Sequence, residues 1–386
     1  MQGRGKMRIA AVDTFILRHA LDKPFGFSQW WYDARSAMLV RVTADNGMTG
    51  WGEAYGPPEP SESIVRHVLT PLILGQDPRN TLPLWERMYA RTRDSGRGGM
   101  VLHALSAVDI ALWDLKGQIL GVSISQLLGG RFRERVQAYA TGLYFRPEED
   151  FVAGLVEEAR GYVAEGFRAI KLKVGLDPDT DLRHAQAVRA AIGPDIELMV
   201  DANHAYDAAT AIRLGRAFEQ LDVRWFEEPV IPEDLEAYAE VARALDLPIA
   251  GGEAEFNRFG FRRLFEARTV DIVQPDLTAT GGFTECQRIA TLANAHGVRY
   301  LPHVWGSAIG LAAALQFIAA LPPATQSLRP IEPLLELDRT PNRFRDELSI
   351  EPLRPEAGWM AIPNRPGLGI TIDETKLTQY RVDQGG

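Results

Sequence analysis

Between Val136 and Pro302 the chain alternates short apolar runs with segments of helical period. Strands are predicted at Val136 to Thr141, Ala169 to Val174, Ile196 to Val200 and Arg224 to Glu227. They continue at Ile249 to Gly251, Asp271 to Gln274 and Arg299 to Pro302. Helices are predicted between them at Glu149 to Glu165, Thr180 to Ile192, Ala208 to Gln220, Glu233 to Leu245, Phe259 to Arg268 and Phe283 to His296. Another, Ala308 to Leu321, follows the seventh strand, and an eighth strand is expected near Leu328 to Glu332. Repeated βα units imply a parallel sheet, and eight strands close a barrel. The fold class is therefore α/β, a TIM-like (β/α)₇β-type barrel.

The chain before residue 131 has a different rhythm. Arg8 to Leu17 reads as a strand. Ala37 to Thr43 and Thr49 to Ala54 flank Asp45-Asn46-Gly47, a hairpin signal. Ser61 to Leu74, Thr81 to Thr92 and Gly99 to Leu120 are predicted helices. The last is apolar on more than one side, so it is expected to be buried, with Asp109, Asp114 and Lys116 in structural roles. Leu21 to Ala34 holds Pro24, Gly26 and the aromatics Phe25, Phe27, Trp30, Trp31 and Tyr32, and is predicted to be a loop. It either covers a site as a lid or packs into its own domain. The expected organisation is an N-terminal α+β capping domain over 1–130 and a catalytic barrel over 131–350. A C-terminal segment, 351–386, returns to the capping domain.

Composition narrows the partners. A net charge of -9 and a pI near 5.4 argue against nucleic acid. No run reaches the roughly 18 apolar residues of a membrane helix. Cys286 is the single cysteine, which fits a reducing, cytoplasmic setting, and it falls on a predicted helix as a packing residue. The first residues lack the apolar core of a signal peptide. Two starts fit the chain: Met1, or Met7 with Met1 to Lys6 as an addition.

The chemistry lies at the ends of the predicted strands. Alternation in a strand puts Lys171 and Lys173 on one face. Asp201, Glu227 and Glu253 each end a run and recur about every 26 residues. In a barrel these ends share one mouth. Any one of these acids alone could be capping the next helix, but three at matched spacing beside paired lysines point to a site. Oxygen donors without a His or Cys cluster select a hard divalent cation, Mg²⁺. Asp276 and His303 end neighbouring strands, where the carboxylate would orient the imidazole as a general base. Lys173, beside Lys171 and a metal, is expected to have a lowered pKa. Lys173 and His303 would flank one carbon, a geometry suited to removing a proton α to a carboxylate.

Taken together, Lys171-x-Lys173, Asp201-x-Asn203, Glu227-Glu228-Pro229, Gly252-Glu253 and the Asp276/His303 pair resemble the enolase superfamily, mandelate racemase subgroup. The resemblance covers nearly the whole chain. It implies Asp201, Glu227 and Glu253 as Mg²⁺ ligands. It also implies Lys173 and His303 as bases, tuned by Lys171 and oriented by Asp276. Glu336 matches a substrate-binding carboxylate, and Asn203, Trp30 and Trp305 join it as candidate substrate contacts. Trp51-Gly52-Glu53, Ala111-Leu112-Trp113-Asp114, His303-Val304-Trp305-Gly306 and Arg339-Thr340-Pro341-Asn342 are similar to members that open aldarate lactones by β-elimination. Ala254-Glu255-Phe256-Asn257 and the Trp30/Trp31 region depart from that pattern. The expected partner is a small sugar acid or its lactone, and the expected assembly a homo-oligomer. Acid-sugar dehydratase and racemase are alternatives. A Schiff-base aldolase and a non-catalytic binding protein are more distant ones.

Overall fold

In the computed structural model, residues 7–147, 151–325 and 327–382 are described. Met1 to Lys6 lie outside them, as does the expected helix start at Glu149. The N-terminal part opens with an antiparallel sheet, β1 (Ile9–Phe27), β2 (Trp30–Ala44) and β3 (Thr49–Ala54), in that order. Helix α1 (Pro58–Ile64) runs through a π-helical turn, Val65–Leu69, into α2 (Thr70–Ile73). The sequence pattern predicted one regular helix here. Pro71 lacks an N–H and crowds the carbonyl one turn back, and the wider turn absorbs that. Helices α3 (Thr81–Thr92), α4 (Met100–Leu120) and α5 (Ile124–Leu127) complete this part.

Leu21 to Ala34 is not a loop. β1 and β2 stay paired out to Phe27 and Trp30, with a register shift between Ala20 and Phe25. The shift takes up Pro24, which has no N–H for the ladder. Gly50 and Gly52 let β3 lie directly on α4: a Cβ at either would overlap the backbone of Ala107 or Ala111. As expected, the acids of α4 are structural. Asp109 accepts from Thr284 N (2.9 Å) and Oγ1 (2.6 Å), and Asp114 accepts from Trp51 N and Leu368 N, both at 2.8 Å.

The barrel strands are β4 (Arg135–Thr141), β5 (Ala169–Lys173), β6 (Glu197–Asp201), β7 (Val223–Glu227), β8 (Ile249–Gly251), β9 (Ile272–Val273), β10 (Arg299–Tyr300) and β11 (Leu335–Asp338). Between them run α6 (Phe151–Ala164), α7 (Pro178–Ile192), α8 (Ala208–Glu219), α9 (Leu235–Ala244), α10 (Asn257–Ala267), α11 (Gly282–Ala295) and α12 (Ala308–Ala320). The parallel ladder follows the order β10-β9-β8-β7-β6-β5-β4-β11. Across the remaining seam Val304 N donates to Glu336 Oε2 at 3.0 Å. The eighth strand thus lies at Leu335–Asp338, several residues beyond its predicted place. Leu328 there is fully exposed and Ile331 partly so, whereas Leu335 and Leu337 are buried.

After the barrel come α13 (Arg343–Glu347), β12 (Trp359–Ala361) and α14 (Glu374–Tyr380). β12 pairs antiparallel with β4, and Val382 N donates to Ile16 O of β1 at 2.9 Å. Residues near the C-terminus thus touch both β4 and β1. Among the described residues no helix is long and apolar enough to cross a membrane.

One apolar layer sets the height of everything above it. Tyr139, Ala169, Met199, Trp225, Ala250, Ile272, Leu301 and Leu334, one from each strand or its flank, pack as a cluster inside the barrel. Two residues further along, strand alternation brings the next side chains to the same inward face. Those are Thr141, Lys171, Asp201, Glu227, Gly252, Gln274, His303 and Glu336. A layer of charge therefore sits directly on a layer of hydrocarbon.

Candidate active site

Lys171 is 1% exposed and its Nζ contacts three carboxylates. It bonds Glu227 Oε1, lies 2.7 Å from Glu336 Oε1 and 3.5 Å from Asp201 Oδ2. Lys173 Nζ donates to Asp201 Oδ2 at 2.5 Å and to Asn203 Oδ1 at 2.8 Å. Asp201 also accepts from Asn203 N at 3.0 Å. Glu227 Oε2 accepts from Trp225 Nε1 (3.0 Å) and Gln274 Nε2 (2.8 Å), so the carboxylate is oriented from below and from the side.

Alternation would put Gly252 in the charged layer on β8, yet Glu253 occupies it. Gly252 has φ +115°, a left-handed conformation that a side chain rarely adopts, and this turn breaks the two-residue period. One oxygen each from Asp201, Glu227 and Glu253 then lies within 4.8 Å of the others. None of these acids caps a helix. That task falls to Asp177, Asp207 and Asp234, which accept from the first turns of α7, α8 and α9.

His303 Nδ1 pairs with Asp276 Oδ2 at 2.7 Å, and its Nε2 lies 3.5 Å from Glu253 Oε2. Asp276 is fixed in turn by Thr278 N and Oγ1, both at 2.6 Å. Glu336 accepts from Thr141 Oγ1 at 2.7 Å and from Val304 N. The strand order puts β5 and β10 three places apart around the ring, through β4 and β11. Lys173 borders the carboxylate trio at Asp201, and His303 borders it at Glu253.

The electrostatics correct one expectation. Burial pushes the Lys173 ammonium down, but Asp201 and Tyr144 pull it up and win, so it is raised rather than lowered. Lys171 is likewise raised: burial opposes its charge, and Glu227 and Glu336 outweigh burial. The reason is ion pairing: the neighbouring Lys171 repels, but a carboxylate at 2.5 Å counts for more. His303 is pushed up to about 10, burial being overcome by Glu253, Glu336 and Asp276. Burial raises Glu227 to about 7 against the pull of Lys171, and it also holds the neighbouring Glu228 well above the usual carboxylate range, aided by Glu253 and Asp201. The pocket thus holds more carboxylates than its two lysines neutralise. Clustered hard oxygens with surplus negative charge fit a divalent cation such as Mg²⁺. A cation there would also weaken the hold of Asp201 on Lys173.

The hairpin tip reaches this mouth. Ser28 Oγ donates to Ala202 O (2.8 Å) and Asn203 O (2.9 Å), and Gln29 Nε2 donates to Asn203 O (3.1 Å). Phe25 is buried and meets Tyr144 of the barrel edge-on at 5.1 Å, while Trp30 is 66% exposed. Tyr32 packs 5.0 Å from Trp305, and Arg35 lies 3.9 Å over the Trp305 ring. Tyr55, just past β3, meets His303 edge-on at 5.7 Å, and Tyr144 faces Lys173 Nζ at 5.1 Å. Sequence reasoning missed Tyr55 and Tyr144 because each reaches the mouth through tertiary packing.

A trio of clustered carboxylates flanked by an amine and an oriented imidazole, at the C-terminal mouth of a β/α barrel, defines a class. The chain belongs to the enolase superfamily, in its mandelate racemase/muconate lactonizing enzyme group, and is an enzyme of that superfamily. Residues 11–129 match the mandelate racemase/muconate lactonizing enzyme N-terminal domain, and residues 154–376 the enolase C-terminal domain-like family. The chain is 48% identical to D-galactarolactone cycloisomerase of Agrobacterium fabrum, across 97% of this chain and 99% of that one. It is 35% identical to arabinonate dehydratase of Saccharolobus solfataricus, over 89% of this chain and 90% of that one. The crystal structure of 3,6-anhydro-D-galactonate cycloisomerase from Zobellia galactanivorans superposes with a TM-score of 0.89. That protein is 41% identical, with 97% of this chain and 100% of that chain covered.

Proposed function

We propose that the chain opens an aldaric acid lactone by Mg²⁺-dependent β-elimination. The observation that carries the reading is the trio Asp201, Glu227 and Glu253, oxygens within 4.8 Å, bordered by Lys173 at one end and the His303–Asp276 pair at the other. Asp201, Glu227 and Glu253 hold the cation. Bound there, Mg²⁺ supplies positive charge against the substrate carboxylate and the second negative charge that deprotonation adds.

Lys173 and His303 approach the α-carbon from two sides. One of them takes the proton from the carbon beside the carboxylate. The electron pair forms the double bond and expels the ring oxygen from the β-carbon, which departs as the second carboxylate. The other returns a proton when the enol product becomes a 2-keto acid. Lys171 stays an ammonium that holds Glu227 and Glu336 in place. Asp276 keeps the Nδ1–H of His303 pointed at itself, so Nε2 faces the pocket. Glu336, Asn203 and Trp305 border the same space as substrate contacts.

Similarity to D-galactarolactone cycloisomerase over nearly the whole chain supports a lactone substrate. The second reading, dehydration of a free acid sugar, draws on similarity to arabinonate dehydratase and differs only in what leaves the β-carbon. The purified protein should be incubated with galactaro-lactones and with free aldarates, in Mg²⁺ and in chelator. Turnover of lactones that stops in chelator is the expected result. Turnover confined to free acids would remove the cycloisomerase reading. The trapping of a borohydride-reducible adduct would point instead to a Schiff-base lysine. We also infer a homo-oligomer, which light scattering would measure.

A further inference from the structure

Glu53 lies in β3, outside the barrel, and is only 3% exposed. Its carboxylate accepts from Ser307 N at 2.8 Å, Ser307 Oγ at 2.7 Å and Gly310 N at 2.8 Å. No ion pair to it is found among the described residues. Burying an unpaired carboxylate is costly unless dedicated donors meet it. Here the donors are the first turn of α12, where free N–H groups and the helix dipole favour an anion. Ser307, the N-cap, in turn accepts from Ile309 N at 3.1 Å.

The space for this carboxylate is built by two glycines. A Cβ at Gly306 would come to 3.0 Å from Glu53 Oε1, and one at Gly310 to 3.0 Å from Oε2. Neither glycine has a positive φ, so room for Glu53 is the reason for them. Ser307 is four residues from His303. The segment between is also held by Val304 N on Glu336 and by Asn342 Nδ2 on Gly306 O (2.9 Å). α12 itself is apolar and buried, so its first turn offers few other polar anchors. Two residues after Glu53, just past the end of β3, Tyr55 packs edge-on against His303 and lies 6.3 Å from Trp305.

We infer that Glu53 is a positioning residue for the His303 segment: from the N-terminal sheet it grips the start of α12 and so sets where the imidazole and Trp305 stand. The alternative is plain glue between the two parts of the chain. The kinetic arm rests on the function proposed above; the exchange arm does not.

The test compares Glu53→Ala, Glu53→Gln and Gly310→Ala with Asp109→Asn, which weakens the contact between α4 and Thr284 of α11. Turnover of a galactaro-lactone with Mg²⁺ and amide deuterium exchange over 303–311 are both measured. A misplacement of about 1 Å can cost roughly 10²-fold in rate. Glu53→Ala should therefore lose about that much kcat, with KM within about threefold, and exchange faster over 303–311. Glu53→Gln, which keeps an acceptor oxygen, should recover at least about tenfold of that loss. Gly310→Ala keeps the charge but crowds it, and should shift exchange in the same segment even if Glu53→Ala fails to fold. Asp109→Asn should lower thermal stability and leave kcat and exchange over 303–311 near wild type. Wild-type exchange over 303–311 in both Glu53→Ala and Gly310→Ala would overturn the inference. So would a kcat loss in Asp109→Asn equal to that of Glu53→Ala. If the wild type opens no lactone, the proposed function fails, and the exchange arm still decides the role of Glu53.

Discussion

The rim of the barrel and the tip of the β1–β2 hairpin meet at one mouth, and they are held there differently. On the rim, Lys171, Asp201 and Glu227 are each two residues above a buried apolar neighbour on the same strand. Their places follow from covalent alternation and from the order of the sheet. All three are at most 1% exposed. At the tip, Ser28 and Gln29 hang on the carbonyls of Ala202 and Asn203, residues more than 170 positions away in sequence. Trp30 and Trp31 remain 66% and 47% exposed. The rim is fixed by local periodicity and buried charge. The tip is fixed by a few long-range hydrogen bonds, so its failure modes should be milder.

The largest effect should come from the rim. Lys173→Ala and His303→Asn should each lower kcat by about 10²–10⁴-fold, the range for a general acid or base. Both should keep native far-UV circular dichroism, because both sit above the apolar layer. Deuterium exchange from solvent into unreacted substrate would show which of the two removes the proton, since the variant retaining that base keeps the exchange. Global unfolding of either variant would show that the charged layer carries the barrel and not only the chemistry.

Next in size is the cation. Glu253→Gln removes one of the three clustered oxygens' charges and should weaken Mg²⁺ binding by at least about 10- to 100-fold, the loss typical of even an indirect partner. Titration calorimetry measures it. Unchanged affinity would remove Glu253 from the ligand set.

That contrast also explains what could be read without coordinates. The strands β4 to β10 and the parity of Lys171, Lys173, Asp201 and Glu227 were visible because period-two and period-3.6 patterns are local. Glu336 was placed by resemblance alone, and the eighth strand was misplaced onto Leu328 to Glu332. Spacing carries no signal for a strand reached through a long irregular connection. The hairpin was misread as a loop because Pro24 and Gly26 look like breakers, while the bulge that tolerates Pro24 depends on partner residues in β2. The Lys173 shift was misjudged for a related reason: sequence shows Lys171 next door, but not the Asp201 carboxylate 2.5 Å away.

A pH titration of the chelated protein sharpens the rim side. The His303 pKa is raised to about 10 in the folded state, against about 6.5 when unfolded. Folding therefore gains from its charge, fully below about pH 6.5, and loses that gain as pH rises through about 10. Thermal stability in chelator should fall across that window, and less so in His303→Asn. Mg²⁺ should flatten the curve by offsetting the charge of Glu253. A curve that rises with pH would contradict the direction of the shift.

The smallest effects belong to the tip, and they separate its two halves. Ser28→Ala deletes hydrogen bonds worth about 1 kcal/mol each at most sites, so a modest fall in melting temperature and faster exchange near the hairpin end are expected. Trp30→Ala removes a ring that is two-thirds in solvent and should change stability by no more than about 0.5 kcal/mol. Its effect on KM decides whether Trp30 is a substrate contact at all. In the present conformation Tyr32 packs against Trp305 with its ring tilted, so Trp30→Ala should leave KM within about twofold while Tyr32→Ala, which empties a contact in the mouth, raises it more. A tenfold rise in KM for Trp30→Ala, with unchanged stability, would mean that the tip folds further over bound substrate than it does here, and the hairpin would then be a moving lid.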